Sequence, residues 1–130
     1  MTQKEFSEKI KENVFNALKN RKCYATTGER IILEFNLEGN PMGSIITRDS
    51  LPDSTRINLY VFAAGTDRLE KVELIKNNQV IETKATDDEF LELDYTDKSL
   101  PPDKEIFYYV RVTQRDGNMG WSSPIYISRN

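Results

Sequence analysis

The stretch RKCYATTGERI, residues 21–31, holds residue types able to do chemistry. Cys23 is the only cysteine in the chain and follows Arg21 and Lys22. Neighbouring cations lower a thiol's pKa and favour the nucleophilic thiolate. Thr26, Thr27 and Gly28 suggest a cradle of hydroxyls and amides for a phosphate. Further along, Asp87, Asp88, Glu89, Glu92, Asp94 and Asp97 offer oxygen ligands for a hard cation such as calcium. Trp121 and Tyr126, with Tyr24, offer ring faces on which a sugar could stack.

Each of these has a plainer reading. The chain contains no histidine, which removes Ser-His-Asp and Cys-His catalysis and most zinc, iron and copper sites. Cys23 therefore has no imidazole to act as its base. It also follows a helix-like segment, and the C-terminal end of a helix disfavours a thiolate. It reads as a structural cysteine. A phosphate-binding P-loop needs G-x-x-x-x-G-K-[ST] leading into a helix, whereas ATTGER has one glycine and leads into a strand pattern. Its hydroxyls read as turn builders. The acids lack the D-x-[DN]-x-[DN]-G spacing and alternate as a solvated strand face does. Trp121 shares parity with Ile125 and Ile127, which places it in or beside the core, opposite in parity to Tyr126. No catalytic residue, metal or cofactor is expected of this chain.

Composition narrows the classes further. The 130 residues suit one domain large enough to hold a core without staples. A net charge of −3 with no basic cluster argues against nucleic acid as the main partner. No segment approaches the roughly 20 apolar residues of a membrane span, and no apolar run follows Met1 as a signal peptide would. The default expectation is a cytoplasmic chain.

The elements that must position these residues follow from periodicity. Over residues 2–20, Phe6, Ile10, Val14, Ala17 and Leu18 recur at spacings of three and four, one stripe of an amphipathic helix. Thr2 and Glu5 have capping-box spacing. From Arg30 the period becomes two. Seven or eight strands separated by turn signals predict an antiparallel β-sandwich over residues 23–130, preceded by the helix over 1–22. Asn77 and Asn78 predict a tight hairpin, because Asn tolerates positive φ. Pro124 cannot donate to a ladder, so the last strand is expected at an edge or with a bulge. The strands over 57–63 and 106–112 are apolar on both faces. Tyr60, Phe62, Phe107 and Tyr109 should then point away from the core, as a surface for the helix stripe or for a partner.

The segment NVFNALKNRKCYATTGERIILEFNLEGNPMGS resembles one in a bacterial family related to PHP (polymerase and histidinol phosphatase) metal-dependent phosphoesterases. So do LEKVELIKNNQVIE and the closing YYVRVTQRDGNMGWSSPIYI, which is also similar to the last two strands of fibronectin type III modules. That likeness of the closing segment implies a sandwich of the immunoglobulin-like or fibronectin III-like kind. The resemblance implies a C-terminal accessory domain whose catalytic, histidine-bearing barrel lies upstream in the same polypeptide and is its expected partner. No metal or catalytic residue carries over. Tyr24, Thr26, Thr27 and Arg30 would border the barrel's rim. The other reading is a free-standing module for a carbohydrate or protein, with Trp121 and Tyr126 as its stacking residues. The isolated docking domain would tend to self-associate.

Overall fold

A computed structural model describes residues 24–27, 30–52, 56–101 and 104–128. The expected helix over 2–20, Cys23 and Gly28 lie outside the described residues. No described helix is long and apolar enough to cross a membrane.

Strands dominate. In chain order they are β1 (Tyr24–Thr26), β2 (Ile32–Leu37), β3 (Asn40–Pro41), β4 (Ile45–Ile46), β5 (Ile57–Ala64), β6 (Leu69–Lys76), β7 (Gln79–Ala85), β8 (Phe90–Asp97), β9 (Ile106–Gln114), β10 (Met119–Ser122) and β11 (Ile125–Ile127). Among the described residues a 3-10 turn covers Arg48–Ser50. The count exceeds the expected seven or eight for local reasons. The corner before β2 pairs as β1, the turn after β2 pairs as β3, and Ser123–Pro124 cut the last strand into β10 and β11.

The strands form two sheets. One runs β3-β2-β5-β8. In the other, β7 pairs with β6 and β6 with β9, while the far side of β9 pairs with β11 at its start and β10 near its end. β1 lies beyond β10 and β4 beyond β11. Every pair is antiparallel except β11 with β4, so the expectation of a purely antiparallel fold needs correction: the seven-stranded sheet is mixed.

The period-two reading holds where strands are long. Leu33, Phe35 and Leu37 of β2, Ile57, Leu59, Val61 and Ala63 of β5, and Leu91 and Leu93 of β8 face one core from the smaller sheet. Val72 and Leu74 of β6, Ile106, Tyr108, Val110 and Val112 of β9, and Ile125 and Ile127 of β11 meet them from the larger. Asn77 and Asn78 have φ of 48° and 68°, the left-handed pair that closes the β6–β7 hairpin with the twist of its strands.

The crossing from β8 to β9 is locked by buried polar groups. Tyr108, fully buried, donates its hydroxyl to Asp97 Oδ2 at 2.5 Å. Lys76 Nζ stands 2.7 Å from the same oxygen and also donates to the Ser99 carbonyl. Burial pushes the Asp97 carboxyl up, but hydrogen bonds from Lys76, Tyr108 and the Ser99 amide outweigh it and hold the group below its usual range. Arg48 reaches from its 3-10 turn to the carbonyls of Pro101 and Lys104.

Candidate interaction face

The corner that opened the sequence is stapled to the β9–β10 turn. β1 pairs with β10, Thr26 opposite Gly120 and Ala25 opposite Trp121. The Thr27 hydroxyl donates to Asn118 Oδ1 at 2.8 Å and accepts from the Met119 amide at 2.9 Å. The Thr27 amide donates to the Met119 carbonyl. Thr27 thus serves the β9–β10 turn, and the helix end that these hydroxyls are expected to satisfy lies outside the described residues. Thr26 is half-buried and Arg30 exposed. The Tyr24 backbone lies in β1 opposite Ser122. Behind the turn, buried Gln114 at the end of β9 accepts from the Thr66 amide at 2.8 Å and donates to Asp116, joining the β5–β6 loop to the β9–β10 turn.

The acidic run is divided among separate places. Asp87 pairs with Arg115 at 2.7 Å and Arg68 at 3.7 Å on the surface. Asp97 points into the core network. Glu92 and Asp94 lie on the outer face of the four-stranded sheet, and among the described residues no three metal-ligating side chains converge.

That outer face follows from register. Glu34, Phe62 and Glu92 sit side by side across β2, β5 and β8, and Asn36, Tyr60 and Asp94 form the next row. Tyr60 donates its hydroxyl to Glu92 Oε2 at 2.9 Å. Burial, and then this bond, push the phenol's pKa up. Phe62 is only 1% exposed although it belongs to this face. Glu34 Oε2 is buried without a hydrogen-bond partner among the described residues. Burial raises the Glu34 carboxyl above its usual range, and the Glu92 charge adds to the rise.

The outer face of the seven-stranded sheet is different in kind. Tyr126 stands opposite Ile45 on one side and Phe107 on the other. Tyr109 follows two residues along β9, opposite Ile75, and Ile75 stands opposite Val80. One apolar row therefore crosses β4, β11, β9, β6 and β7. The Phe107 ring lies 5.8 Å from that of Tyr126, tilted by 43°, and 6.5 Å from that of Tyr109 with planes 7° apart. Beside the row, Arg111 grips Glu73 with two bonds of 2.9 and 3.0 Å, and Trp121 registers with Arg111. The Arg111 hydrogen bonds hold the Glu73 carboxyl below its usual range. A groove of about 270 Å³ at the end of the row is lined by Ile45, Glu105, Tyr126, Ile127 and Ser128.

Two expectations change. Tyr60, Phe62, Phe107 and Tyr109 do not form one surface: the first two lie on one sheet, the last two on the other. Trp121 does not share a face with Ile125 and Ile127. The Ser123–Pro124 break resets the alternation, so Trp121 registers with Arg111 and shares its face with Phe107 and Tyr126. Sequence reasoning missed Ile45 and Val80 as the ends of the row, since their place depends on pairing partners and not on local pattern.

No family model matches the chain, and no solved structure does. It is 40% identical over 132 residues to an uncharacterized protein of Chlamydia pneumoniae, and 37% identical over 134 residues to one of Chlamydia trachomatis. A protein of Chlamydia muridarum is also 37% identical. In each case the match takes in 92% of this chain but 21% of the relative, so the chain spans about a fifth of the length of the curated relatives it matches.

Proposed function

We propose that this chain is a non-catalytic accessory domain of a longer polypeptide, related to the PHP phosphoesterases, and that it docks on and steadies the catalytic part. The observation that carries the reading is the coverage: nearly the whole chain aligns with a fifth of each relative, as a module does. The described residues also close around one core of their own, which is what a module requires.

The fold is read in the same proposal as immunoglobulin-like, nearest to fibronectin type III. In chain order, the long strands β2 and β5 share a sheet, β6 and β7 cross to the other, β8 returns, and β9 crosses again. Tyr108, near the start of β9, anchors by its hydroxyl to Asp97 at the end of β8, an arrangement resembling the tyrosine corner of such sandwiches.

Peptide mapping of the native protein tests the reading. Peptides joining this chain to a longer histidine-bearing polypeptide are expected. A native species near 15.1 kDa would overturn it, and so would phosphoester turnover by this chain alone with added divalent metal.

A further inference from the structure

Three large apolar side chains are exposed among the described residues: Ile45 at 76%, Val80 at 47% and Tyr126 at 44%. Single exposed apolar residues scattered over a surface mean nothing. These three come from β4, β7 and β11, far apart in sequence, yet register puts all of them on one row with the half-buried Phe107 and Tyr109 and with Ile75, which is only 2% exposed. Ile45 and Tyr126 adjoin at one end of the row, and Val80 stands at the other beyond buried Ile75. At about 4.8 Å between strands, the five strands carry the row over about 19 Å.

The geometry points to this face, centred on Phe107 and Tyr126, as the interface with an apolar surface of another domain of the same polypeptide. The inference rests on the accessory-domain reading and adds to it the face and the occupant. Four features argue for that occupant. First, the rings of Phe107, Tyr109 and Tyr126 already pack on one another, so little ordering remains for docking to impose. Second, the flanking charges, Arg111 and Glu73, neutralise each other in a two-bond pair, so the partner surface needs no net charge. Third, the row is about one to two residues wide, on the order of 200 Å², well short of the roughly 800 Å² per side of a stable free-standing complex. A tethered neighbour, held at an effective concentration near millimolar, needs less contact than a free one. The relatives supply the tether, since four-fifths of their length lies outside the match. Fourth, β1, the first described strand, belongs to this same sheet, with Ala25 opposite Trp121.

The approach is face-on. The sheet edge at β7 is guarded by the register shift between Leu74 and Ile75 and by the charges of Glu82 and Lys84, devices that oppose strand-to-strand pairing.

The experiment is site-directed photo-crosslinking in the intact native polypeptide. A cysteine-directed photo-crosslinker is placed through Ile45→Cys, Val80→Cys or Asp94→Cys, with Cys23→Ser, and products are mapped by mass spectrometry. Asp94 is exposed on the opposite face and serves as control. Crosslinks from positions 45 and 80 to residues of the same molecule outside this domain are expected, at ten-fold or more the yield from position 94. Higher yield from position 94 would overturn the inference and leave the accessory-domain reading standing. So would crosslinks chiefly to a second copy, to a separate protein, to residues 1–23, or within the domain alone. A native polypeptide of this chain's own mass would instead sink the accessory-domain reading.

Discussion

On the four-stranded sheet, the outward residues of β2, β5 and β8 set Glu34, Phe62 and Glu92 in one row. On the seven-stranded sheet, the outward residues of five strands set Ile45, Tyr126 and Phe107 in line and, one step along β9, Tyr109, Ile75 and Val80. Both faces arise from the same two-residue alternation, and both hold aromatic rings. Their charges are handled in opposite ways. Glu34 is half-buried beside a second carboxylate, and its ionised form is disfavoured. Glu73 is buried against a guanidinium, and its ionised form is favoured. Their rings differ too: Phe62 is 1% exposed, whereas Tyr126 is 44% exposed. The difference teaches that aromatic content on an outward strand face does not by itself mark a docking site. What separates the faces is whether the rings are open and whether the neighbouring charges are closed.

The largest effect that tests this contrast belongs to Phe62. Phe62→Ala should cost about 3–5 kcal/mol in denaturant unfolding, as truncation of a buried ring does. Phe107→Ala, at a half-buried ring, should cost much less. Equal costs would erase the distinction between a structural and an open ring. Next comes the ion pair. Arg111→Ala leaves the nearly buried Glu73 carboxylate without its two bonds and should cost about 1–3 kcal/mol. A negligible change would mean that water takes over the pairing.

A pH comparison separates the two glutamates. Glu34 has a folded pKa above its usual 4.5, so its contribution to stability is full below that value and is lost as pH rises through the folded pKa. Glu34→Gln should therefore stabilise the domain at pH 7 and make no difference near pH 3.5. Glu73 has a folded pKa below 4.5, so its contribution is full above that value and is lost as pH falls through the folded pKa. Glu73→Gln should destabilise at pH 7, and the deficit should shrink on acidification. Stability curves moving the same way for both variants would contradict the account. The smallest effect is expected at the rim of the open row. Val80→Ser should change stability by no more than about 0.5 kcal/mol, because the side chain is half in solvent already. A larger loss would make Val80 part of the fold and weaken its place in an interface.

Much of this was legible in the residues. Strands β2 and β9 bury every second residue along their whole length, β5 does so except at Phe62, and the Asn77–Asn78 turn announces itself by its chemistry. The pattern also showed that Tyr60, Phe62, Phe107 and Tyr109 turn away from the core. It could not show that they turn away on different sheets, because sheet membership is set by long-range pairing. The same limit hid the parallel contact of β4 with β11, two residues long and without local signature. Trp121 was misplaced for another reason: alternation was carried through Ser123–Pro124, where a ring without an amide proton interrupts the ladder.

The staple between Thr27 and Asn118 joins residues 91 positions apart. Closing so long a loop is entropically costly until the intervening strands have condensed. During synthesis, β1 has no partner until β10 has left the ribosome, almost the whole domain later. The corner is therefore a late closure, and its amides should gain protection from hydrogen exchange after those of the β6–β7 hairpin. Until then β1 waits with its own edge unpaired, and the half-made domain depends on its surroundings to leave that edge alone.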